Sequence, residues 1–124
     1  MANIRKEVLL TLCSLSEKAK NQVTYLKART LLPLYFKFLR DPDNEVKNVS
    51  LKCMASIGPQ AQLMLIEALT KDQNPSIRVQ AAKGLGLFGP TTFRTLLLGL
   101  HDTSPMVRKA AASTISKHLS LIHI

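Results

Sequence analysis

The sequence predicts an all-α protein built from repeated pairs of helices. A three-part pattern occurs three times: an apolar helix-like run, a polar turn with Asp and Pro, and a second run that begins with Val or Ile before a basic residue. The turn aspartates Asp41, Asp72 and Asp102 recur at intervals of about thirty residues. A fixed period that carries two helical segments is typical of a helical solenoid.

Composition agrees with packed helices. The 124 residues are 46% hydrophobic and 5% aromatic, which is too apolar for a disordered chain. No window contains the roughly eighteen apolar residues of a membrane span, and Met1–Leu15 lacks the features of a signal peptide. We therefore expect an intracellular protein, cytoplasmic with the nucleus not excluded, and we expect Cys13 and Cys53 to be small buried residues.

Taken in order, residues 1–15 match a second helix, because Asn3-Ile4-Arg5 corresponds to Ser76-Ile77-Arg78. Residues 16–30 form a basic insertion, interpreted as an inter-repeat loop or as a loop that touches a partner. Three repeats follow at 31–58, 59–89 and 90–118. The predicted helices, with no strand, are 3–15, 31–40, 44–57, 60–70, 76–88, 91–100 and 105–118.

Local signals set the helix ends. Asp41-Pro42 stops a helix, because the residue before proline disfavours the helical region. Asp43 or Asn44 is expected to cap the next helix, and Ser76 to begin the later one in the same way. Gly58-Pro59 and Gly89-Pro90 end helices in the usual order, glycine and then proline.

Both ends of the chain are unusual for a complete solenoid. The chain begins inside a repeat, so we expect Met1 to be an internal residue or the end of a fragment of a larger protein. Residues 119–124, Leu-Ser-Leu-Ile-His-Ile, do not continue the repeat. Their back-translation resembles a transposase adapter used for sequencing libraries, which predicts a non-native tail.

The register also resembles the HEAT repeat, from Leu31 to His118 and in Asn3–Leu15 as a lone second helix. The resemblance implies a right-handed α-solenoid whose second helices line a concave face. It also implies a structural ladder of turn aspartates and helix arginines between neighbouring repeats. The matching positions are Asp41, Lys47, Asp72, Arg78, Asp102 and Arg108. The ladder contact made by Lys47 should be weaker than those made by Arg78 and Arg108, because lysine lacks the planar fork of arginine.

Charge is the remaining informative feature, with 17 basic residues against 8 acids and a formal charge of +9. Counting every four residues along each second helix from the residue after the Ile/Val-Arg/Lys pair gives an outer stripe, which in one helix is Val79, Lys83 and Leu87. We call its lysines the lysine stripe: Lys6, Lys52, Lys83, Lys109 and Lys117. On the concave face of the resembled fold, this stripe suits an acidic helix, an acidic peptide or a phosphate backbone. A plain solvated face is the alternative.

The sequence offers little for catalysis. Gly84–Gly89 has the letters of a dinucleotide fingerprint, but it ends a helix and follows no strand. His101, His118 and His123 lack ligand spacing for a metal, and no nucleophile elbow or P-loop is present. We therefore predict no enzyme activity, no cofactor, no metal and no small-molecule substrate.

These observations favour a non-enzymatic scaffold segment that binds a protein with an acidic surface or helix through its basic concave face. Nucleic-acid binding through the same face is the alternative. It is the weaker one, because the stripe lacks aromatic residues on which bases stack. A membrane partner is not expected.

Overall fold

The structure is a computed structural model that describes residues 2–17 and 30–121. Seven α-helices occur in these ranges, and no strand does. They are α1 Ala2–Glu17, α2 Leu32–Lys37, α3 Asn44–Ile57, α4 Pro59–Lys71, α5 Pro75–Leu85, α6 Phe93–Gly99 and α7 Pro105–Leu121. The all-α prediction is confirmed. Most of the predicted basic insertion, residues 18–29, lies outside the described residues, as do residues 122–124 of the predicted tail.

The observed helix boundaries differ from the predicted ones mainly where 3₁₀ segments replace the ends of the α-helices. Three short 3₁₀ segments, Phe38–Arg40, Gly86–Phe88 and Pro90–Thr92, occupy ends of the predicted helices 31–40, 76–88 and 91–100. Such segments commonly close or open an α-helix, because an i to i+3 bond satisfies an end group that the α pattern leaves unpaired. Helix α7 continues to Leu121, three residues beyond the predicted end at His118.

Side-chain caps begin the second helices α3 and α5. Asp43 Oδ1 accepts hydrogen bonds from the backbone N–H groups of Glu45 and Val46 at 2.8 and 3.1 Å. Asn74 Oδ1 accepts from the N–H of Ser76 at 2.9 Å, so Asn74 is the cap of α5 and the expectation for Ser76 is wrong. The register shows why: Asn74 and Asp43 both lie two residues after the turn aspartate.

The chain folds as two compact units, Met1–Ala61 and Gln62–Ile124. In the first unit, α1 and α2 both pack against α3. Leu9, Tyr35 and Met54 are fully buried there, and Ser50 Oγ donates to the carbonyl oxygen of Tyr35. Cys13 and Cys53 are buried, as predicted.

In the second unit, α7 packs against both α5 and α6. The core contains Leu65, Ile77, Leu85, Leu96 and Val107, each at most 1% exposed. No described helix is both long and apolar enough to cross a membrane.

Gly86 permits a close approach between the end of α5 and helix α7. A Cβ at this position would lie 2.7 Å from Thr114 Cγ2 and 3.4 Å from His118 Nε2. The Gly86 φ angle is −60°, so glycine is required here for space and not for backbone conformation.

We expect Gly86→Ala to lower the free energy of unfolding by about 1–3 kcal/mol, because the added methyl overpacks the contact with Thr114. Urea unfolding followed by circular dichroism measures this change. In a Thr114→Ser background the clashing Cγ2 is absent, so the same Gly86→Ala change should cost less. An equal cost in both backgrounds would contradict the steric explanation.

Candidate interaction surface

Each repeat turn is held by its aspartate. In the three turns the aspartate Oδ1 accepts the backbone N–H two residues later, at 2.9 Å in every case: Asp41 from Asp43, Asp72 from Asn74, and Asp102 from Ser104. This local bond fixes the turn between the first and second helices. One carboxylate oxygen of each aspartate remains for another partner.

Two of these aspartates bind an arginine from the preceding second helix through two parallel bonds. Arg78 Nε donates to Asp102 Oδ2 at 2.9 Å, and Arg78 Nη2 donates to Asp102 Oδ1 at 3.1 Å. Arg5 donates to both oxygens of Asp41 in the same way, with Nη2 to Oδ1 at 3.1 Å. Planar, bidentate pairs of this kind are the stronger class of charged hydrogen bond.

The arginine fork also ties each second helix to its own turn. Arg78 Nη1 donates to the carbonyl oxygen of Asp72 at 2.8 Å. Arg108 Nη1 donates to the carbonyl oxygen of Asp102 at 2.7 Å. Arg78 thus joins two successive turns, whereas Arg108 is bonded to its own turn.

The sequence-based prediction of the ladder did not include Arg5. The match of Asn3-Ile4-Arg5 to Ser76-Ile77-Arg78 could have identified it, because Arg5 occupies the position of Arg78. Lys47 belongs to the first unit and Asp72 to the second. Their pairing stays a prediction, as does the contribution of the whole ladder to stability.

Two carboxylates of the ladder, Asp41 and Asp102, have pKa values below the ordinary value of aspartate. Hydrogen bonds from Arg5 hold the pKa of Asp41 below its ordinary value, against the opposing effect of burial. Burial raises the pKa of Asp102, but bonds from Arg78 and from the N–H of Ser104 outweigh it, and the net shift is downward.

We expect acid to destabilise the fold through these two groups. A carboxyl whose pKa is depressed in the folded state contributes stability above its unfolded pKa, and this contribution is lost as the pH falls through the folded value. The loss should therefore develop below about pH 4, near the unfolded pKa of aspartate. Urea unfolding between neutral and acidic pH measures it. The Asp41→Asn, Asp102→Asn variant should show a weaker pH dependence, and an unchanged dependence would contradict the assignment.

The five lysines of the stripe differ in what they contact. In the first unit, Lys6 Nζ donates to Glu45 Oε2 at 2.8 Å, which raises the pKa of Lys6, whereas Lys52 is exposed. In the second unit, Lys83 on α5 and Lys109 and Lys117 on α7 are all exposed. None of these three side chains makes an ion pair or hydrogen bond within the described ranges. The second unit therefore holds three available cations on two helices that pack together.

Acidic side chains are almost absent around those three lysines in the sequence. Residues 73–124 contain six Lys and Arg residues and a single acid, Asp102. The Asp102 carboxylate is 11% exposed and is bonded to Arg78. No carboxylate on α5, α6 or α7 is left to neutralise the lysine stripe.

Three features of the described residues bear on catalysis. His118 is buried, with Nε2 at 2.8 Å from the carbonyl oxygen of Gly86 and its ring packed near Phe93. No group of three or more His, Cys, Asp or Glu residues in residues 2–17 and 30–121 is placed to hold a metal ion. A cleft of about 270 Å³ beside Leu98 and Gly99 has Asp102 as its one titratable side chain, already bonded to Arg78.

Part of the chain matches a known protein family. Residues 62–119 match a family model described as HEAT repeats. A search of curated proteins found no match to the chain. The matched segment covers most of the second unit, including Arg78, Asp102 and the three available lysines.

Proposed function

We propose that this chain, whose residues 62–119 match a family model of HEAT repeats, is a non-enzymatic scaffold segment that binds an acidic protein partner. HEAT repeats commonly serve as protein-interaction scaffolds, and the all-α repeat fold is of that kind. The proposal includes an intracellular location, and it involves no cofactor, metal or small-molecule substrate.

The single observation that supports the binding face is the set of exposed lysines Lys83, Lys109 and Lys117. They lie on two packed second helices, and no acid on those helices is available to them. On α7, Lys109 and Lys117 are eight residues apart, so they share a face about 12 Å long. A surface with one sign of charge and no internal counter-ions attracts a partner of the opposite sign.

Lys6 contributes less to this proposal than the other lysines. Its ammonium group already has Glu45 as a partner, and an incoming carboxylate would have to displace that contact. Lys52 remains a candidate contact of the first unit, because its side chain is exposed. We therefore assign the main binding role to the second unit.

Nucleic acid is the second candidate, because the same lysines would attract phosphates. Against it, the two arginines of the second unit's second helices, Arg78 and Arg108, are engaged with the turns. The stripe also lacks aromatic residues for base stacking. A phosphate backbone would then be held by lysine charge alone.

Fluorescence anisotropy with the full chain tests the two candidates. The probes are a labelled acidic peptide of about twenty residues and a duplex DNA of similar charge, at about 50 and 200 mM salt. We expect the peptide to retain measurable binding at the higher salt, and the DNA to lose affinity with a log–log slope of about −3, one unit for each lysine. Tighter binding of the DNA at both salt concentrations would favour the nucleic-acid function, and absence of binding to both probes would refute the proposed face.

A further inference from the structure

Two exposed apolar side chains share the lysine-bearing faces of the second unit. Met106 is 61% exposed and lies three residues before Lys109, on the same side of α7. Leu87 is 51% exposed and lies four residues after Lys83, in the 3₁₀ segment Gly86–Phe88 that follows α5. Sequence counting placed Leu87 in the outer stripe but did not include Met106.

The first unit has an ion pair at the positions that correspond in sequence to Val79 and Met106. Glu45 lies four residues after Asp41, as Met106 lies four after Asp102, and Lys6 follows Arg5 as Val79 follows Arg78. Lys6 and Glu45 are joined at 2.8 Å across the two second helices of their unit. The equivalent positions of the second unit hold two apolar residues, Val79 at 8% and Met106 at 61% exposure. Two apolar residues of the second unit therefore occupy the positions at which the first unit has an ion pair, and Met106 lies close in sequence to Lys109.

From this arrangement we propose that the partner segment is an amphipathic acidic helix. Its apolar side chains contact Met106 and Leu87, and its carboxylates reach Lys83, Lys109 and Lys117. The inference rests on the proposed scaffold function and specifies the chemistry of its partner.

Charge alone is a weak basis for such a complex. An exposed ion pair contributes little and is screened by salt, so three of them alone give only weak binding. Burial of exposed methionine and leucine side chains adds a term that salt does not screen. A partner that offers both carboxylates and apolar side chains therefore gains more from this surface than a purely acidic chain.

A helix can present apolar and acidic side chains on one side at the same time. Apolar residues that recur at three and four residues form one stripe of a helix, with acids on its two flanks. Such helices bind in grooves between the helices of their receptors. A second copy of this chain is a poorer occupant, because its formal charge of +9 repels another copy.

Three synthetic peptides test the proposal by anisotropy with the full chain. The first has leucines at helical spacing and glutamates elsewhere, the second has the same composition in an order that breaks the apolar stripe, and the third is poly-glutamate. We expect the first to bind at least tenfold more tightly than the other two. Met106→Gln with Leu87→Gln should remove most of that advantage and leave poly-glutamate binding unchanged.

Leu97→Gln with Leu98→Gln is the matched control. Both leucines lie on the first helix α6 and are as exposed as the test residues, at 50% and 62%. Equal binding of all three peptides, or an equal loss in the control variant, would overturn the amphipathic partner while leaving the lysine face intact. Failure of every peptide to bind would refute the proposed function itself. Circular dichroism of each variant verifies the fold.

Discussion

Arg78→Ala is expected to lower the free energy of unfolding by about 3 kcal/mol, the largest stability effect among the ladder residues. Arg78 is 12% exposed and Asp102 is 11% exposed, so water screens their interaction little. The substitution removes two bonds to the Asp102 carboxylate and one to the carbonyl oxygen of Asp72. Asp102 would then be a mostly buried carboxylate with only the N–H of Ser104 as a local donor.

Arg108→Ala is the matched control for this prediction. Arg108 occupies the equivalent position of the next repeat but is exposed, and within the described residues its side chain makes one bond, to the carbonyl oxygen of Asp102. Its loss should cost less than about 1 kcal/mol. Lys47→Ala should also cost less than Arg78→Ala, because lysine cannot form the two-bond fork. Equal changes in the urea midpoint for Arg78→Ala and either of the other two variants would contradict the ladder.

Arg78→Lys separates charge from geometry. If the planar fork matters, lysine should recover only part of the lost stability, because one ammonium group cannot make two parallel bonds to Asp102 and also reach Asp72. Full recovery would mean that charge alone holds the turn.

Much of this fold could be predicted, because the same pattern occurs three times in the sequence. Turn aspartates at a fixed period, with Val or Ile before a basic residue, placed every described helix within about three residues of its observed ends. The tertiary partners were harder to predict. The bond from Arg78 to Asp102 crosses 24 residues, and the Arg5 fork to Asp41 crosses 36, with a predicted insertion between them.

The candidate face could be predicted only in part, because it also depends on contacts between helices. Counting by four along a helix places Lys109 and Lys117 on one exposed side. It cannot tell that Val79, in the same counted stripe, is buried, or that Lys6 is bonded to Glu45. Burial and pairing depend on the neighbouring helix, which a single helical period does not describe.

Charge reversal of the stripe should have the largest effect on binding. Lys83→Glu with Lys109→Glu replaces two of the three available cations by anions on neighbouring second helices, so attraction to an acidic partner becomes repulsion. We expect at least a hundredfold loss of affinity for the acidic amphipathic peptide. Stability should change by less than about 0.5 kcal/mol for each substitution, because both side chains are exposed.

Lys71→Glu with Arg94→Glu makes the same change in net charge on the first helices α4 and α6, where both side chains are exposed. If binding depends on the lysine stripe and not on overall charge, this control should keep affinity within about threefold of the wild type at physiological salt, where charges separated by more than about 8 Å are largely screened. Anisotropy at two salt concentrations compares the variants directly. A similar loss in both double variants would show that net charge explains the binding. A loss confined to the Lys71, Arg94 variant would place the partner on the first helices, next to the exposed Leu97 and Leu98.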